Sequence, residues 1–266
     1  MNLELITRQP DRPSFPIPIL FVHGAWHGAW CWNEFFMPYF AWRGYTPFAF
    51  SYRGHGASDG RRTLLANLAR AYVEDLGWAV AEVERQTGRR PVIVAHSLGG
   101  YVTQKYLESH QVPAAALLAS IPASGALGYF LRFMRRHPGP FLKTVVTLNG
   151  YHLIGTPALT SEGFFSADLP EEQLDRYFEQ MIPESFLAGL EASFNLPHPG
   201  KVSTPILVLG AANDQVFTVE EQTRTAQAYH APVEIFPDMA HDMILEKSWQ
   251  LAADRIMGWL GELDLK

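Results

Sequence analysis

Residues 92–100 read Val-Ile-Val-Ala-His-Ser-Leu-Gly-Gly. Val92, Ile93 and Val94 make an apolar β-branched run suited to a buried strand, and an amphipathic helix is predicted to begin at once, over Leu98–Ser109. A strand that passes into a helix with no loop forces a strained turn, and Ser97 sits on it. Large side chains two positions either side would collide there, so Ala95 and Gly99 are what such a turn requires. The hydroxyl is pushed out of the sheet, with the helix N-terminus beneath it. The same serine also fits a helix N-cap. The rest of the chain has to decide between the two.

Apolar strand segments recur near 18–23, 46–51, 91–96, 114–119, 205–210 and 232–236, with an N-terminal strand around 2–7. Helical segments fall near 30–43, 63–87, 98–110, 218–229 and 246–263, and Gly44 and Gly88 stand where the first two should end. This alternation predicts an α/β fold built on a doubly wound, mostly parallel central sheet. It breaks once. Between Pro122 and about Gly200 no buried strand is evident, and the sequence is rich in Phe, Leu, Met, Pro and Gly. The expected division is a core of residues 1–121 and 201–266 and a helical lid (cap) over 122–200, above the carboxyl edge of the sheet where such folds place their sites. No repeat, low-complexity tract or flexible linker interrupts the chain, so the lid is expected to pack on the core.

With 266 residues, 47% hydrophobic and 18% charged, the chain can build a large core. Its net charge of −6 argues against nucleic-acid binding. Arg132, Arg135 and Arg136 form the one local basic cluster, read as a solvated helix face. Cys31 is the sole cysteine, so no intramolecular disulfide or cysteine-based metal site is expected, and a reducing, cytoplasmic setting is favoured. Residues 1–18 include Glu4, Arg8, Asp11, Arg12 and several prolines, unlike a signal peptide. No uncharged apolar stretch approaches the ~20 residues of a membrane span.

Serine is a poor nucleophile at neutral pH, so Ser97 needs a base, an orienting acid and donors for a developing oxyanion. Of the ten histidines, His241 lies in the loop Pro237–Met243, after the last strand and before the C-terminal helix. Asp214 closes Leu209-Gly210-Ala211-Ala212-Asn213-Asp214, directly after another strand. Taken singly, a surface-loop histidine and a turn aspartate would fit these positions. The order Ser97, Asp214, His241, each at a strand end, is that of a hydrolytic triad. Two further loops follow strands: His23-Gly24-Ala25-Trp26-His27-Gly28-Ala29-Trp30, and Ser51-Tyr52-Arg53-Gly54-His55-Gly56-Ala57-Ser58-Asp59.

These segments together resemble the α/β-hydrolase family, in particular its serine esterase and lipase-like members, over nearly the whole chain except the lid. The elbow carries Ala95 in place of the first glycine of G-x-S-x-G. The loop at 23–30 looks like the family's HG-x oxyanion loop. Residues 51–59 look like its R-G-x-G-x-S turn, in which Arg53 and His55 are expected to serve the turn itself. The resemblance implies an α/β-hydrolase fold with the lid inserted after the sixth strand, and Ser97, Asp214 and His241 as catalytic residues. It assigns the oxyanion donors to the amides of Ala25 and Leu98, the latter at a helix N-terminus where donors are unpaired. It also places Trp26 and His96 on the substrate side. His23 and His27 have a His-x3-His spacing, but no carboxylate or cysteine evident in the sequence completes a metal site, and His23 is expected to hold its loop by hydrogen bonds. No cofactor is required.

The activity implied is hydrolysis of a carboxylic ester. Epoxide hydrolases and haloalkane dehalogenases of this fold use an aspartate at the elbow, which Ser97 excludes. Hydroxynitrile lyases share a similar oxyanion loop but place a lysine after the catalytic histidine, where this chain has Asp242, whose charge would oppose a departing cyanide. Thioesterase, lactonase, C–C hydrolase and acyltransferase reactions use the same triad. A slow-turnover ligand sensor on the same scaffold is the non-enzymatic alternative. Phe130, Phe133, Phe141, Leu142, Val145, Val146, Phe164, Phe165, Phe178, Met181 and Phe186 make the lid apolar, which favours a small apolar ester as partner, with no nucleic acid and no integral membrane segment.

Overall fold

The structure, a computed structural model, describes residues 1–263 and Leu265. Seven strands form one sheet: β1 (Leu5–Thr7), β2 (Ile19–Val22), β3 (Pro47–Phe50), β4 (Val92–His96), β5 (Ala115–Leu118), β6 (Ile206–Ala211) and β7 (Val233–Phe236), in the order β1-β3-β2-β4-β5-β6-β7. β1 runs antiparallel to β3, and every other pairing is parallel. The continuous apolar runs of the sequence follow from this topology, because β2 to β6 are covered on both faces and buried at every position. Only β1 and β7, at the two edges, carry exposed or half-buried residues.

Helices cover both faces. α1 (Trp30–Glu34) and α2 (Phe36–Trp42) replace the single helix expected at 30–43, with Phe35 at φ −130 and ψ −50 breaking it. Across that break Trp32, Phe36 and Phe40 all pack on Phe21 of β2, with ring centroids 4.7, 6.0 and 5.2 Å away. α3 (Ala69–Thr87) buries Ala69, Tyr72, Leu76, Ala79, Val80 and Val83, the spacing of one helical face, and ends at Gly88 with φ +74. α4 (Leu98–Leu107) starts directly from β4, as the sequence predicts. After an insert come α10 (Val219–Ala228) and α11 (Trp249–Glu262). Among the described residues no helix is long and apolar enough to cross a membrane.

The insert holds α5 (Leu127–Arg136), α6 (Pro138–Thr147), α7 (Pro157–Phe164), α8 (Glu171–Gln180) and α9 (Phe186–Phe194). It leaves after β5 and returns at β6, so it follows the fifth strand of this chain, not a sixth. A single strand, β1, precedes β2 among the described residues, which sets that count. Arg135 and Arg136 of α5 are exposed, as expected of a solvated helix face, whereas Arg132 departs from it. Arg132 is half-buried: its guanidinium grips the Glu221 carboxylate of α10 at 2.9 and 2.8 Å and donates to the Val216 carbonyl at 2.7 Å. Such a two-point pair fixes orientation as well as distance, and here it ties the insert to the core.

The turn between β4 and α4 depends on close backbone approach. A Cβ added to Gly99 would lie 2.6 Å from both the Val22 and His23 carbonyl oxygens, backbone atoms that cannot swing aside. Gly99→Ala should therefore cost about 3 kcal/mol through overpacking and strand displacement. The expected readout is a clear fall in Tm on thermal unfolding, and an unchanged Tm would refute this packing.

Candidate active site

β2 ends in the loop His23–Trp30, and histidines shape it. His23 accepts the Tyr52 amide at Nε2 (3.2 Å), so its proton is on Nδ1, which donates to the Gly24 carbonyl at 2.7 Å. A trans peptide sets its N–H opposite its C=O, so the Ala25 amide points away from the His23 ring. Burial pushes the His23 pKa well down, and His55 beside it adds to this, so the ring stays neutral and the hydrogen-bond pattern holds. The next peptide is fixed the same way: His27 donates from Nδ1 to the Ala25 carbonyl at 2.7 Å.

The other nitrogen of His27, Nε2, lies 3.0 Å from Asp242 Oδ2, and both side chains are wholly buried. Burial opposes the charge on His27, but the Asp242 carboxylate and the Ala25 carbonyl outweigh it and raise the pKa. This is the carboxylate the sequence did not reveal beside His27. Asp242 therefore does not face the cavity, and its charge is compensated where it stands.

Ser97, at φ +52, is the left-handed residue of the elbow. Its amide donates to the Leu118 carbonyl (3.0 Å) and its carbonyl accepts the Ile121 amide (3.1 Å), which ties the turn to the end of β5. The Ser97 Oγ is 3.0 Å from His241 Nε2, and His241 Nδ1 is 2.9 Å from Asp214 Oδ2. The other Asp214 oxygen accepts the amides of Val216 and Phe217 at 2.7 and 2.9 Å, so the carboxyl group is held in one orientation. Three residues far apart in sequence thus meet in one line.

Ala25, Trp26, Ser97 and Leu98 line one cavity of about 500 Å³, including its mouth. Among the described residues neither the Ala25 nor the Leu98 amide donates a hydrogen bond. The rest of the lining is largely apolar, with Phe130, Leu153, Phe186 and Phe217. Of the aromatic residues expected to roof the site, only Phe130 and Phe186 reach this cavity, whereas Leu142 and Val146 are exposed on α6.

His96 departs from its expected substrate-side position. Its ring turns beneath the His241 loop and donates from Nε2 to the His241 carbonyl at 3.0 Å, away from the cavity lining. Burial lowers its pKa to about 3. It supports the loop that carries His241. A second buried group went unread in the sequence: Glu184, between α8 and α9, accepts from the Tyr72 hydroxyl at 2.7 Å and stands 3.0 Å from His55 Nε2. Only the R-G-x-G-x-S turn signalled it, by bringing His55 to the carboxyl edge of the sheet.

The sequence profile of the alpha/beta hydrolase family matches residues 19–255. The chain belongs to that family. Its relatives include the rice protein named "Probable esterase PIR7A" (Oryza sativa subsp. indica), 34% identical over 166 residues, 58% of this chain and 61% of the relative. This family member thus spans about three fifths of that relative's length. The monoacylglycerol lipase of Mycolicibacterium smegmatis is 23% identical over 226 residues, 80% of this chain and 77% of its own. The crystal structure of Paleococcus ferrophilus monoacylglycerol lipase superposes with a TM-score of 0.73 at 18% identity, covering 98% of both chains, a likeness of fold.

The histidines of this site set a pH optimum for stability. His23 and His96 have depressed pKa values, so the stability they contribute is complete above about pH 6.5 and is lost as pH falls toward their folded values. His27 is raised, so its contribution is complete below about pH 6.5 and is lost as pH rises through its folded value. Urea unfolding across pH should therefore show a maximum near pH 6.5. On the acid side the slope should approach about 1.4 kcal/mol per pH unit for each of the two depressed histidines. A stability that climbs steadily to pH 9 would contradict these assignments.

Proposed function

We propose that this protein is a serine carboxylic-ester hydrolase acting on small apolar esters. The observation that carries the reading is the Ser97–His241–Asp214 line, with contacts of 3.0 and 2.9 Å, at the edge of an apolar cavity. His241 takes the Ser97 proton as the hydroxyl attacks the ester carbonyl. The Ala25 and Leu98 amides receive the oxyanion of the tetrahedral intermediate. His241 then returns the proton to the departing alcohol, leaving an acyl group on Ser97. A water deprotonated by His241 attacks that acyl carbon, and the acid leaves as Ser97 recovers its proton. Asp214 keeps the His241 proton on Nδ1 between steps and stabilises the imidazolium within them. The cycle needs no cofactor and no metal.

Residues 122–200 form the lid in this reading, with 1–121 and 201–266 as the core that carries the triad. Trp26 stands beside the acyl group, supported by its place in the cavity wall. Being aromatic-walled, the cavity favours a short or ring-shaped acyl group over a long chain.

A series of p-nitrophenyl esters from acetate to palmitate tests this. The expected profile peaks among the short to medium acyl chains and collapses by about 10⁴-fold or more in Ser97→Ala, with a loss of about 10⁴-fold in kcat for Asp214→Asn. Negligible rates across the whole series would overturn the hydrolase reading, and tight ligand binding without turnover would favour a sensor.

A further inference from the structure

Among the described residues, the lining of the cavity beside Ser97 holds one acidic or basic side chain, Glu184. The triad chemistry makes no use of it. Its side chain is 5% exposed, and the segment that carries it runs from the end of α8 into α9 along the cavity wall. Three donors from separate parts of the chain hold the carboxylate. Oε1 accepts from the Tyr72 hydroxyl at 2.7 Å and from the Ser185 amide at 2.7 Å, while Oε2 faces His55 Nε2 at 3.0 Å. Burial disfavours its charge, but His55 and the Tyr72 and Ser185 donors outweigh that and keep its pKa below the ordinary carboxylate value.

Acceptor counting sharpens the point. A carboxylate oxygen has room for about two donors. Oε1 is filled by Tyr72 and Ser185, whereas Oε2 has a single partner among the described residues. A substrate hydroxyl or amide N–H entering the cavity can complete that shell, whereas a second carboxylate would meet like charge in a poorly solvated space. The Glu184 partner His55 is itself wholly buried.

We infer that Glu184 is a specificity-determining residue that admits neutral esters carrying a hydrogen-bond donor and rejects esters whose acyl or alcohol part carries a carboxylate. The inference rests on the ester-hydrolase reading above. Two matched pairs test it, one on each side of the scissile bond. On the acyl side, p-nitrophenyl methyl glutarate is compared with p-nitrophenyl hydrogen glutarate at pH 7.5. On the alcohol side, 2-hydroxyethyl butyrate is compared with 2-methoxyethyl butyrate. The wild-type enzyme should favour the neutral glutarate by about tenfold or more in kcat/KM. It should also favour the hydroxyethyl ester by about threefold or more.

Glu184→Gln should bring both ratios toward unity. A purely structural role would lower all rates together and leave the ratios where they were. Equal wild-type rates within both pairs would overturn the inference, as would ratios unchanged in a folded Glu184→Gln protein. The wild-type comparison decides by itself if that variant does not fold. Absence of turnover on every ester sinks the hydrolase reading instead, so the two failures are distinguishable.

Discussion

The close approach of Gly99 to the end of β2 is the constraint on which the rest of the site depends. It lets α4 start with no loop after β4, which puts Ser97 at a positive φ that a residue with a Cβ adopts only at a cost. The conformation persists because its surroundings over-determine it. The Ser97 amide and carbonyl are both used by the end of β5, and the glycine behind it lies against Val22 and His23. The same contact brings the loop after β2 beside the hydroxyl. Ser97 and the loop that carries Ala25 are thus positioned by one packing event, and a larger residue at 99 would separate them.

Around that elbow, pairs of ionisable side chains work as cross-links. His27 meets Asp242, His55 meets Glu184, and Arg53 meets Asp75, with closest contacts of 3.0, 3.0 and 2.7 Å. Each pair joins a loop at the carboxyl edge of the sheet to a distant element: the loop of His241, the insert, or α3. Buried pairs add little net stability, because desolvation cancels most of the Coulomb gain. Their value here is geometric. The His27 pair links the peptide that follows Ala25 to the loop that carries His241, so the Ala25 loop and His241 share a support.

The parts of this arrangement encoded locally were legible in the sequence. Unbroken apolar runs marked strands buried on both faces, Ala95 and Gly99 marked the elbow, and strand ends marked Asp214 and His241. What could not be read was pairing across the fold. Asp242 looked like a charge facing the substrate because its sequence neighbour is His241, yet successive residues in a loop need not share a direction, and it turned to His27. His96 was misplaced for a related reason. It ends β4 next to Ser97, but alternation along a strand sends neighbouring side chains to opposite sides, and its ring went beneath the His241 loop. Arg132 lay in a basic run whose composition said nothing of Glu221, and Glu184 carried no local pattern at all.

Trp26 shows that the insert belongs to the geometry of the site as well as covering it. Its φ of +65 is unusual for so bulky a residue and has to be maintained by its partners. Two of them come from the insert: the indole donates to the Gly150 carbonyl at 3.1 Å, and the Trp26 carbonyl accepts the Ile182 amide at 3.0 Å. Gly150 in turn donates to the Glu184 carbonyl at 2.8 Å, so the backbone that holds Trp26 also holds the charged residue of the cavity. Lifting the insert away would release Trp26 next to Ala25 and let the strained loop relax. The insert therefore holds the backbone beside Ala25 as well as walling the cavity, and the Arg132–Glu221 pair fastens that insert to the core.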